Sequence, residues 1–110
     1  SHLSVNVRVM QAAAAPSGDL TVDETGDLVW PTATIFCKYL CSCSELVRGR
    51  KVLDLGAGTG LVGMVAAQLG SEVTLTDVDR VLPLLVSNVA GAVARSCSDS
   101  GAAMTVLPLF

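Results

Sequence analysis

An α/β fold, a parallel sheet with helices on both faces, is predicted by two features of this 110-residue chain. Three short, apolar, β-prone runs, residues 51–55 (KVLDL), 72–76 (EVTLT) and 104–109 (MTVLPL), alternate with helical stretches. That β-α-β-α-β order is the signature of parallel strands joined by helical crossovers. The first strand also runs straight into a glycine-rich break, residues 56–60 (GAGTG), before the next helix begins.

Each element follows from local chemistry. Val5, Val7 and Val9 alternate with Asn6 and Arg8, a period of two that predicts a half-buried strand. Pro16, Ser17 and Gly18 break the chain, and Leu20, Thr21 and Val22 give a short return strand. Residues 1–27 are therefore expected as an N-terminal β-hairpin or extension, ahead of a unit spanning 28–110. Pro31 suits the first turn of a helix, where its missing N–H costs nothing. That helix is expected to run through Ile35, Phe36, Tyr39, Leu40 and Val47 and to end before Gly49. Tyr39 falls on its apolar face and reads as core. Residues 61–69 (LVGMVAAQL) are apolar nearly all round, so this helix should be buried between layers, with Gly70 ending it. After the second strand, Asp79 is placed to cap a third helix over 80–95, with Pro83 tolerated in its first turn. Residues 96–103 form a loop of small residues leading to the third strand.

Composition narrows the function. Seven Lys+Arg against ten Asp+Glu give a net charge of −3, which argues against a nucleic-acid partner or a polybasic membrane surface. With 51% hydrophobic residues and a mean hydropathy of +0.59, the chain is too apolar for disorder. Its longest apolar run, residues 81–94, is interrupted by Pro83, Ser87 and Asn88. It falls short of the roughly 20 residues a bilayer span needs. The N-terminus lacks a basic start and apolar core, so cytoplasm, or the nucleus, is the expected compartment. Cys37, Cys41, Cys43 and Cys97 are expected as reduced structural thiols, because the first three lack paired zinc-site spacing and no histidine lies nearby. No metal site is expected.

The chemistry concentrates where the first strand meets the second helix. Glycines let the backbone turn tightly and approach a ligand, and a helix N-terminus offers free N–H groups. Asp77 ends the next strand, placed to accept hydrogen bonds from ribose hydroxyls. Gly58-x-Gly60-x-x-Gly63 matches a dinucleotide pattern that is weak alone. Asp54 stands before these glycines and would repel a pyrophosphate, but would suit an ammonium or sulfonium centre. S-adenosylmethionine is thus favoured over a nicotinamide dinucleotide.

The stretch VLDLGAGTGLVGMVAAQLGSEVTLTD resembles the first two motifs of class I, seven-strand S-adenosylmethionine-dependent methyltransferases, whose sheet is Rossmann-like. With LVWPTATIFCKYL upstream and LTDVDRVLPLLVSNV downstream, it resembles the protein-lysine methyltransferases grouped as methyltransferase family 16. The resemblance implies a methyltransferase acting on a protein lysine, with this chain carrying mainly the cofactor-binding half. It also implies the site residues. Trp30 would lie near the methionine end, while Asp54, Gly56, Gly58 and Gly60, with Ala57 between them, line the methionine and sugar. Asp77 would take the ribose hydroxyls and Val78 the adenine; Asn88 belongs to the pattern as a structural residue. The family's fourth to seventh strands have no counterpart here, and the residues that align the lysine amine are expected beyond Phe110, so no catalytic residue is assigned. In the family's strand order, 3-2-1-4-5-7-6, strand 51–55 would become a bare apolar edge, so self-association through it and lack of turnover are expected. Two other readings stand beside this one: a non-catalytic S-adenosylmethionine-binding or dimerisation module, and a nicotinamide-dependent oxidoreductase fragment.

Overall fold

A computed structural model describes residues 5, 7–9, 11, 29–95 and 103–109. Its element order is α1 (Pro31–Ser42), a short 3₁₀ turn (Ser44–Leu46), β1 (Lys51–Leu55), α2 (Leu61–Gln68), β2 (Glu72–Asp77), α3 (Leu82–Arg95) and β3 (Ala103–Pro108). The three strands form one parallel sheet in the order β1-β2-β3, with Val52 opposite Val73 and Val73 opposite Met104. The strands and connecting helices stand within two residues of their expected bounds.

Side-chain alternation assigns the two sheet faces. Val52, Val73, Leu75, Met104 and Val106 join Met64, Ala66 and Ala67 of α2 and Leu85 and Val89 of α3 in one core. Met64, Val73, Leu75 and Leu85 are at most 1% exposed. Each such side chain contributes about 1.5–3 kcal/mol by leaving water. Both crossovers step the same way from β1, so right-handed connections place α2 and α3 on the same face. α1 packs outside α2, through Cys37 and Leu40 against Val65 and Leu69. The helical layer expected on the second face is not formed by the described residues. There Leu53, Leu55 and Leu107 are 60%, 66% and 49% exposed. β1 pairs only with β2 among the described residues, so it is the sheet edge foreseen from sequence.

Four local expectations change. The first helix does not run to Val47. Ser42 Oγ donates to the Tyr39 carbonyl at 2.8 Å, and Cys43 leaves helical geometry at φ −127°, ψ 48°. The Tyr39 carbonyl also accepts from Cys43 N–H at 3.0 Å, the last bond of the helical ladder. Tyr39 is exposed and stacks on Phe36 with ring centroids 6.2 Å apart, so it is not core. Asp79 lies in a turn before α3, which starts at Leu82, and so is not its cap. Val7 and Val9 carry no strand pairing, although they pack against the core. The return strand at 20–22, like Cys97, lies outside the described residues.

Candidate functional site

The glycine loop between β1 and α2 is held at three consecutive residues by elements later in the chain. Ala57 N–H donates to the Thr76 carbonyl at 2.7 Å. Gly58 N–H donates to Asp77 Oδ2 at 2.8 Å. The Thr59 carbonyl accepts from Asn88 Nδ2 at 2.9 Å. Gly60 N–H closes the turn on the Ala57 carbonyl at 2.9 Å. Gly56, Gly58 and Gly60 have φ of 70°, 60° and 92°, left-handed values that favour glycine. At Gly60 a Cβ would also stand 2.9 Å from Leu85 Cδ1.

Beside this loop lies an open cleft of about 140 Å³ lined by Val29, Trp30, Ala33, Asp54, Gly56, Ala57, Gly58, Thr59, Leu61 and Val62. Five residues singled out from sequence therefore meet on one surface: Trp30, Asp54, Gly56, Ala57 and Gly58. Trp30 immediately precedes α1 in extended backbone and is 45% exposed, so it is a wall rather than core. Gly60 is buried behind the loop at the entry to α2. Asp77 lies under the loop, its Oδ1 accepting from Val78 N–H at 2.7 Å, and Val78 is 41% exposed beside it. Sequence reasoning missed Val29, Ala33, Thr59, Leu61 and Val62; their positions beside Trp30, one turn on in α1, within the glycine loop and in the first turn of α2 were the available signal.

Asp54 carries the electrostatics. Its Oδ2 is buried and has no hydrogen-bond partner. Burial pushes its carboxyl above the ordinary value of 3.8; the Gly63 N–H opposes this, and the charge of Asp77 adds to the rise. A buried carboxylate oxygen without a donor is disfavoured until a hydrogen-bond donor or a positive charge reaches it. Cys37 serves no such purpose: burial, then Cys41 and Asp54, pushes its thiol up to about 11, so it stays protonated. Cys37, Cys41 and Cys43 are free thiols, and no metal cluster occurs among the described residues.

Comparison with known proteins gives the lineage. The chain is 47% identical over 62 residues to protein N-lysine methyltransferase METTL21A of Danio rerio, covering 56% of this chain and 28% of that protein. It is 43% identical over 77 residues to EEF1A lysine methyltransferase 3 of Mus musculus, covering 66% of this chain and 33% of that protein. The chain thus spans about a third of the length of the curated relatives it matches. The sequence profile of the lysine methyltransferase family, methyltransferase family 16, matches residues 18–107, most of the chain, including the loop, the cleft and all of the sheet but Pro108. The chain belongs to the lysine methyltransferase family.

Proposed function

We propose that residues 28–110 are the cofactor-binding part of an S-adenosylmethionine-dependent methyltransferase that acts on a protein lysine, with residues 1–27 as an extension ahead of it. The buried, unpartnered Oδ2 of Asp54 beside the glycine loop carries this reading. A cofactor with an ammonium and a sulfonium centre matches that oxygen, whereas a pyrophosphate does not. The cleft between Trp30 and the loop suits the methionyl end. Asp77 and the exposed Val78 extend from it as a shelf for ribose and adenine. Asp77 has both oxygens on backbone N–H groups, yet a carboxylate offers about four acceptor positions, so hydroxyls remain within its capacity. When bound, the cofactor supplies a methyl group activated on sulfur. The residues described here hold and orient; alignment of the lysine amine belongs to the protein outside them.

The named relatives methylate protein lysines, and this supports the same substrate class here. Free thiols at Cys37, Cys41 and Cys43 fit a reducing compartment such as the cytoplasm. A second reading, a cofactor-binding or dimerising module without turnover, draws on the bare β1 edge with its exposed Leu53 and Leu55. Calorimetric titration with S-adenosylhomocysteine tests the seat, and labelled-methyl transfer into lysines of a cell extract tests the activity. Binding with transfer supports the first reading and binding without transfer the second. Absence of binding by the full-length protein removes both.

A further inference from the structure

We propose that Asn88 of α3 is the positioning residue of the glycine loop, a role that rests on the cofactor-binding function proposed for that loop. Asn88 is 3% exposed and Thr59 is 3% exposed, so their 2.9 Å contact is made away from water. A buried carbonyl needs a donor. The N–H groups within a helix are consumed by the helix itself, so α3 can satisfy Thr59 only through a side chain. Asn88 supplies an amide N–H of the right reach.

The bond does more than fill a vacancy. The peptide joining Thr59 and Gly60 is planar, so holding its carbonyl also sets the direction of the Gly60 N–H. That N–H closes the turn on Ala57 and lies where α2 begins. One turn earlier on α3, Leu85 fills the space a Cβ at Gly60 would need. Leu85 and Asn88 thus shape two successive loop residues from one face of α3. The other two pins, at Ala57 and Gly58, both come from the end of β2. Asn88 is the side-chain hydrogen bond from a different element, and without it α3 would hold the loop through the packing of Leu85 alone.

The test uses the full-length protein with Asn88→Ala, the milder Asn88→Ser, which keeps a short donor, and Val89→Ala as a control for lost α3 packing. Val89 is a core residue of α3 whose side chain has no polar atom, so it can form no hydrogen bond to the loop. In ligand-free protein, amide exchange at Gly60 should quicken about ten-fold in Asn88→Ala relative to Val89→Ala at matched global stability. The dissociation constant for S-adenosylhomocysteine should rise by a similar factor, with Asn88→Ser falling between wild type and Asn88→Ala. Equal Gly60 exchange in Asn88→Ala and Val89→Ala overturns the proposal. Failure of the wild type to bind S-adenosylhomocysteine would instead strike the cofactor reading, and the exchange measurement would still decide what Asn88 does.

Discussion

Replacing Gly63 with alanine sets two opposing effects against each other. Gly63 is in the first turn of α2, where alanine is the better helix former by about 0.5–1 kcal/mol. On propensity alone the change should stabilise. Packing opposes it. An ideal Cβ at Gly63 would stand 2.5 Å from Leu75 Cδ2, 2.8 Å from Leu75 Cγ and 3.1 Å from Asp54 Oδ2. Leu75 is 0% exposed and shares its core with Val73, Met64 and Leu85, so it has nowhere to withdraw. Forcing a methyl into such a core costs about 1–3 kcal/mol or more. Packing therefore wins, with a net loss of about 1–2 kcal/mol. Urea unfolding reads this as a midpoint lowered by about 0.5–1 M at unchanged slope. The cycle with Leu75→Ala isolates the cause. That change alone costs about 2–5 kcal/mol but opens the space, so Gly63→Ala in its background should become neutral or stabilising. An unchanged or raised midpoint for Gly63→Ala in the wild-type background would refute the reasoning, because α2 would then not rest on β2 at glycine distance.

Three further outcomes follow from the site. Asp54→Asn should stabilise the ligand-free protein at neutral pH: the folded carboxyl titrates above its free value of 3.8, so wild-type stability falls as pH climbs from that value through the folded one. The stability gap between variant and wild type should therefore widen as pH rises above 3.8 in urea titrations and then level off, and a gap constant with pH would contradict the assignment; the same variant should bind S-adenosylhomocysteine about ten-fold or more weakly. Asp77→Ala should weaken that binding by about 1–3 kcal/mol in calorimetry, through lost charge-assisted bonds and a loosened Gly58. Trp30 is the sole tryptophan and lines the cleft, so its fluorescence should change on titration with S-adenosylhomocysteine and not with NADH at matched absorbance correction; identical responses would remove Trp30 from the cofactor wall.

The sheet and its two crossover helices were legible because their signals are local: apolar runs of strand length, glycines at the breaks, and a helix apolar nearly all round. The cleft residues Asp54, Gly56, Ala57 and Gly58 were legible for the same reason, since they are contiguous in sequence. What escaped was set by distance along the chain. The end of α1 is a backbone turn at Cys43, with φ −127° and ψ 48°, that apolar periodicity does not register. That the two crossover helices, α2 and α3, lie on one sheet face follows from both crossovers stepping the same way from β1. Tyr39 occupies an apolar helical face that the described residues leave uncovered, so periodicity alone read it as core.

Asp54 shows why a local rule breaks where function begins. A strand residue pointing toward a helical layer would ordinarily be valine or leucine, as Val52 and Leu75 are on the same face. A carboxylate there is disfavoured by burial and by the charge of Asp77, and one of its oxygens is left without a donor. The helix N-terminus at Gly63 relieves only part of this. On the proposed reading the remainder is attraction for a positive centre in the cleft, while Asp77 is already anchored to two backbone N–H groups. On that reading the two acids divide the work: Asp77 holds the loop through Gly58 and Val78 N–H, and Asp54 would be completed by the bound ligand. On this account ligand binding should suppress the pH dependence attributed to Asp54, and Asp54→Asn should lose that linkage while retaining the loop geometry that Asp77 and Asn88 impose.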